Sequence, residues 1–340
     1  MRDLQRIFVG WLSLLFLAGG MGAQELYEAV RDEDSPSGIA YQRYYTRDGL
    51  DRRIAFYLST DSDPSVELPL VVFILGSGAH SNFKQGGDRI LDAHRTLREA
   101  ALDRARVLAV ERPGVAFLSQ PDKNGTAVGA SDEFLREHTA DRWSEAVHAA
   151  IRATGSLSGI DRSRLLVVGH SEGARIAARV AALNPQVTHA AGWNGFATSR
   201  LRCMLNDRAW NSALGEIEDL NERTQAAAEL WRRMLAEKDD YRQLFSGHSF
   251  RYWASFKGNT TFDFLESSSA RIYLAQGTED NECTLDGFEL LFARLVEAGR
   301  DVTAVWVPGA NHGFGFPDDP KRNGWREQMK KVLDWYLRPD

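Results

Sequence analysis

The chain has 340 residues, 43% of them hydrophobic, which suffices for one large core with insertions or for two small domains. Its 41 Lys and Arg against 47 Asp and Glu leave a formal charge of -6, and there is no basic, aromatic-interleaved patch, no CxxC pair and no phosphate loop. These features exclude an electrostatic case for nucleic-acid binding. At the N-terminus, Arg2 and Arg6 precede a short apolar stretch, Ile7 to Ala18, which is followed by small residues up to Ala23. That stretch is too brief for a comfortable membrane span and reads as a secretory signal peptide over 1–23. The cleavage site itself stays open, because Met21 is not the small residue expected two positions before Ala23. The mature protein is then expected outside the cell or in the periplasm, with no stable membrane span.

Residues 24–50 are polar and read as a surface leader, with Asp32-Glu33-Asp34 as a solvated loop. Alternation from Arg52 to Leu58 predicts a strand. Pro69 to Leu75 is a continuous apolar run of strand length, as a parallel strand covered on both faces requires, and it ends in Gly76-Ser77-Gly78-Ala79-His80. A helix over Asp88 to Leu102, a strand over Val107 to Val110 and a long loop over 112–131 follow. Trp143, Ala146, Val147, Ala150 and Ile151 recur at helical spacing within Phe134 to Thr154.

Leu165 to Gly169 reads as a buried strand and Ala174 to Leu183 as a helix stopped by Asn184-Pro185. Between them stands Gly169-His170-Ser171-Glu172-Gly173, the G-x-S-x-G pattern of a nucleophile elbow, in which two glycines leave room for a tight strand-to-helix turn. After a short strand at Thr188 to Trp193, an aromatic-rich, helical stretch over 199–269 interrupts the alternation and predicts an inserted cap, with most of its aromatics filling its own core. Arg271 to Gly277 and Val302 to Val307 are the last strands, each followed by a helix. The predicted fold is α/β, a doubly wound and mostly parallel sheet, with core segments 24–198 and 270–340 around the helical cap.

A serine hydroxyl needs a base beside it and an acid to orient that base, and in such a sheet the candidates lie just after strands. Among the eight histidines only His312 does so downstream of a similarly placed carboxylate. Asp280 is the predicted acid, with Glu279 and Asp286 as alternatives. His170 is read as packing beside the elbow, His80 as a border of the pocket, and His94, His138, His148, His189 and His248 as ordinary surface or helix residues. The oxyanion of a tetrahedral intermediate would be held by the backbone NH of Glu172 and by that of Ser77, with Gly78 as the next candidate. Triad and backbone donors supply the chemistry, so no metal or organic cofactor is expected. Cys203 and Cys283 form an even pair in an exported chain and predict a disulfide, with two buried free thiols as the alternative.

The elbow, Asp280 and Gly309-Ala310-Asn311-His312-Gly313, in that order and context, resemble the α/β-hydrolase superfamily over residues 50–338, and the His-Ser-Glu-Gly elbow is loosely similar to its secreted dienelactone-hydrolase-like and prolyl-oligopeptidase-like members. Leu75 departs from the histidine that many members place before the oxyanion glycine. The resemblance implies a serine hydrolase acting through an acyl-enzyme on a small ester, with peptide or amide cleavage as the runner-up. Acyl transfer and a non-catalytic binding protein are the remaining alternatives, and the sequence says nothing about oligomeric state.

Overall fold

The computed structural model describes residues 27–195, 201, 214–258 and 260–339, so the predicted signal peptide lies outside the described residues. Nine strands form the main sheet in the order β1-β2-β3-β7-β4-β8-β9-β12-β13. They are β1 (Val30–Arg31), β2 (Tyr41–Arg47), β3 (Arg53–Ser59), β4 (Leu68–Ile74), β7 (Arg106–Val110), β8 (Ile160–His170), β9 (His189–Trp193), β12 (Arg271–Gly277) and β13 (Val302–Val307). From β7 to β13 all neighbours are parallel, whereas β1, β2 and β3 join antiparallel.

Side-chain alternation in the central strands feeds two cores. Leu70, Val72 and Ile74 of β4, with Leu165 and Val167 of β8, face one layer built from α3 (Ala140–Ala153), α4 (Glu172–Leu183) and α8 (Leu285–Glu297). Val71 and Phe73, with Leu166 and Val168, face the other layer, built from α1 (Arg95–Ala101) and α9 (Gly324–Tyr336). Both faces are apolar, so these strands are unbroken hydrophobic runs.

Two N-terminal stretches differ from the expectation. The segment read as a surface leader contains β2, which pairs along its length with β3. Its connection is closed by Asp48, whose Oδ1 accepts from the backbone NH groups of Leu50 and Arg52 at 2.9 Å each, and Asp51 takes a positive φ of 59°. The helix expected over Asp88 to Leu102 is instead a hairpin, β5 (Phe83–Gly86) with β6 (Arg89–Asp92), followed by the short α1. Gly87 supplies the left-handed turn residue with φ +65°, and Asp92 accepts from the NH of His94 at 2.7 Å, fixing the corner into α1.

Between β9 and β12, α5 (Leu220–Ala236), the small hairpin β10 (Leu244–Phe245) and β11 (His248–Ser249), and α6 (Phe250–Ala254) build a separate cluster from Ala227, Met234, Phe250, Tyr252 and Trp253. The next helix, α7 (Thr261–Ser267), contributes Phe262 and Leu265 to the main core instead. Among the described residues, no helix is long and apolar enough to cross a membrane.

Asp48 is fully buried, and its side chain also receives the Arg142 guanidinium. Burial pushes its carboxyl up, but the hydrogen bonds from Arg52, Arg142 and Leu50 outweigh that and hold it below the usual carboxylate range. Its contribution is therefore complete above the unfolded-state pKa and lost as pH falls through the folded one. Asp48→Asn should lower stability by about 2 kcal/mol at pH 7, with the deficit shrinking below about pH 4, as measured by denaturant unfolding at both pH values.

Candidate active site

Ser171 sits between β8 and α4 with φ 56° and ψ -120°, a conformation that costs a non-glycine residue on the order of 1–3 kcal/mol and persists only where its surroundings enforce it. Three glycines permit this close packing. A Cβ on Gly169 would collide with the carbonyl of Gly173, one on Gly173 with the carbonyl of Ile74, and one on Gly195 with the carbonyl of Ser171 itself. The NH of Ser171 donates to Trp193 O at 2.8 Å, fastening the turn to β9.

The predicted acid and base come together. His312 Nδ1 lies 3.0 Å from Asp280 Oδ2 and 3.1 Å from Oδ1, with the Asp280 side chain fully buried. Asp280 Oδ1 accepts the NH groups of Glu282 at 2.8 Å and Cys283 at 2.9 Å, while Gln276 Nε2 donates to Oδ2 at 3.0 Å. Asp280, Cys283 and His312 present ligand atoms within 4.8 Å of one another, a spacing that suits a metal ion. The four hydrogen bonds already directed at Asp280 occupy the lone pairs a metal would need, so the donor set fits an oriented imidazole better. Of the alternative acids, Asp286 accepts from Thr284 Oγ1 and its neighbour's NH at the start of α8, away from this contact.

His312 is held from behind by two side chains. His170 Nε2 donates to His312 O at 2.7 Å, its ring 4.8 Å from the His312 ring and 5.0 Å from that of Trp325. Burial, with His312 beside it, lowers the His170 pKa to about 4, so the ring is neutral at pH 7. Asn194, fully buried with φ 45°, donates through Nδ2 to the same carbonyl at 2.6 Å and accepts the NH of Gly277 at 2.8 Å. It thereby ties the end of β12 to the His312 loop. Sequence reasoning missed Asn194, although its place immediately after β9, at the carboxyl end of the sheet, is the signal that would have found it.

The predicted oxyanion donors flank the serine. A Cβ on Gly76 would lie 3.3 Å from Ser171 Cβ, which brings the 76–82 loop over the elbow. Glu172 is the first residue of α4, so its NH has no acceptor within the helix. The loop is gripped at both ends by consecutive residues. Arg112, completely buried and 5.1 Å from the Trp143 ring, donates to Leu75 O at 3.1 Å and to Gly76 O. Glu111 accepts from Ser81 Oγ at 2.6 Å and from the NH of Asn82 at 3.3 Å, and its burial raises its pKa to about 7. In the middle, Ser77 Oγ donates to Gly125 O at 3.1 Å and the NH of Ala79 to Thr126 O at 3.0 Å.

The Glu172 carboxylate is also buried. It accepts from the Tyr252 hydroxyl at 2.6 Å, and His138 Nε2 lies 3.9 Å away. Tyr252 stacks on both His138 and His248, with centroids 4.3 and 4.4 Å away, the two imidazoles being 5.4 Å from each other, and His248 Nε2 donates to Gly125 O at 3.1 Å. The 220–254 segment thus touches the elbow through one hydroxyl, while its other aromatics fill its own cluster. Four histidines expected at the surface or on ordinary helix positions are interior: His94 is fully buried against Phe73, His189 packs against Trp335 and Tyr336, and His138 and His248 both pack on Tyr252. A reading based on side-chain polarity misplaced them because each ring packs on aromatic neighbours distant in sequence or supplied by the fold. Cys203 lies outside the described residues.

Gly173→Ala should cost about 2–4 kcal/mol, because the new methyl must displace the end of β4, whereas Gly155→Ala, with open space around it, should stay within about 0.5 kcal/mol. Thermal unfolding of the two variants checks this contrast. Arg112→Met should retain the fold yet lower kcat more than it raises KM for any substrate whose reaction uses the 76–82 loop, and steady-state kinetics read the split.

The Alpha/beta hydrolase family profile matches residues 71–322, more than half of the chain. No curated protein sequence matches the chain. Among solved structures, Pyrococcus horikoshii acylaminoacyl peptidase is similar at 15% identity and a TM-score of 0.58, covering 89% of this chain and 42% of that one. Porphyromonas gingivalis dipeptidyl peptidase 4 is similar at 14% and 0.55, covering 88% and 36%. Est1E from Butyrivibrio proteoclasticus is similar at 14% and 0.51, covering 87% and 97%. The chain thus spans well under half the length of either peptidase, and at these identities the likeness is one of fold. Sheet order, helical layers and the family match over most of the sequence agree, and the chain belongs to the alpha/beta hydrolase family.

Proposed function

We propose that the protein is a serine hydrolase that cleaves a carboxylic ester through an acyl-enzyme, with Ser171 as nucleophile, His312 as general base and acid, and Asp280 as the group that orients and stabilises the imidazolium. The observation that carries the reading is the strained Ser171 turn at the same end of the sheet as the His312–Asp280 contact. Ser171 Oγ attacks the carbonyl carbon while its proton passes to His312 Nε2, and the leaving alcohol then takes that proton. The NH groups of Glu172 and Ser77 stabilise the oxyanion. Water repeats the sequence on the acyl-serine, releasing the acid.

Peptide or amide cleavage is the second reading, supported by the fold shared with structures described as peptidases. Est1E is matched over 97% of its length and the Porphyromonas gingivalis peptidase over 36%, which supports the ester reading as the first of the two. The proposal includes export directed by residues 1–23 and a Cys203–Cys283 disulfide that would fasten the predicted insertion beside Asp280.

A fluorophosphonate probe should label Ser171 in the folded protein, and Ser171→Ala should abolish labelling and lower kcat for short-chain esters by about 10⁴ or more. An unlabelled Ser171 in folded protein defeats the serine hydrolase reading, and faster turnover of aminoacyl amides than of esters exchanges the first reading for the second. Two titratable thiols in the denatured, unreduced protein would rule out the disulfide.

A further inference from the structure

Glu282 is mostly solvent-exposed, yet its carboxylate is not idle. Its Oε2 stands 3.3 Å from His312 Nε2, with 66% of the side chain accessible, and among the described residues this imidazole is its sole ion-pair partner. The backbone beneath it is fixed, because the Glu282 NH donates to Asp280 Oδ1 at 2.8 Å. The same carboxylate that orients His312 therefore also positions Glu282 against it. No lysine or arginine neutralises this charge at the contact among the described residues.

A role for Glu282 rests on the serine hydrolase reading. In that chemistry His312 Nε2 delivers the proton to the leaving atom, so the leaving atom must pass within hydrogen-bond distance of Nε2. A carboxylate 3.3 Å from Nε2 consequently borders the leaving group and not the distant end of the acyl chain. We propose that Glu282 is a specificity-determining residue that selects substrates whose leaving group carries a positive charge a few bonds beyond the scissile oxygen, as in esters of amino alcohols. The carboxylate lies beside the path of the leaving atom, where it would pair with a cation on the leaving group, and a neutral leaving group gains nothing from it. The bond changes are those of ester hydrolysis: the acyl carbon gains Ser171 Oγ and loses the amino-alcohol oxygen, which leaves with the proton first held by Ser171.

The test compares two esters of one short acyl group, the choline ester and its uncharged 3,3-dimethylbutyl isostere, as competitors of fluorophosphonate labelling at Ser171, read by intact-protein mass. The choline ester should protect Ser171 at about fivefold lower concentration, the upper range for one exposed ion pair, and the advantage should shrink in high salt. Glu282→Gln should bring the two esters together, and Glu282→Lys should reverse their order. Equal protection by both esters in the native protein, or a preference that survives Glu282→Gln, overturns this inference and leaves the hydrolase reading standing. Absence of any Ser171 labelling overturns both.

Discussion

The site depends on one close approach of backbone to backbone. Ser171 is held in a left-handed conformation because α4 starts almost against the ends of β4 and β8, and only glycine at 169 and 173 lets the carbonyls of Gly173 and Ile74 come so near. The turn is enforced from three sides: by the sheet partner Trp193, by Gly195 beside the serine carbonyl, and by Gly76 above its Cβ. A hydroxyl so placed stands proud of the sheet, while the first NH of the helix remains directed toward whatever reacts with it.

Everything else at this end of the sheet is built as paired anchors. Asp280 receives four hydrogen bonds, and three of them come from its own loop and from Gln276 at the end of β12. The loop carrying His312 is fastened at the His312 carbonyl, which accepts from both His170 and Asn194, and at Ala310 O, which accepts the NH of Glu279 at 2.9 Å. Glu111 and Arg112, adjacent in sequence, hold opposite ends of the 76–82 loop. Rigidity here comes from buried polar groups that hydrogen-bond across loops, which limits how far their dipoles can reorganise.

The central sheet and the three groups proposed for the chemistry were legible in the sequence for a simple reason. β4, β7, β8, β9 and most of β12 are covered on both faces, so their sequences are largely apolar runs; Ser171 and Asp280 follow two of them by a few positions, whereas His312 follows the half-buried edge strand β13. β2 was hidden because it lies near the sheet edge with half-buried Gln42, Arg43 and Tyr44, whose alternation is weak, even though the Asp48-Gly49 pair marks the turn that follows it. The β5–β6 hairpin failed as a helix because four-residue strands fall below the length at which either periodicity speaks. Arg112 and Tyr252 were out of reach for another reason. Their partners lie 36 and 80 positions away along the chain, so nothing local records them.

The carbonyl of Gly125 deserves a last consideration. It accepts from Ser77 on the loop above the serine and from His248 on the segment that follows β9, so one oxygen links the two walls of the site. A shift of either wall changes the hydrogen-bond geometry available to the other. In the proposed reaction, the fit of a substrate against the outer segment would therefore be transmitted to the 76–82 loop, and discrimination would be expressed in the speed of the chemical step as much as in the tightness of binding.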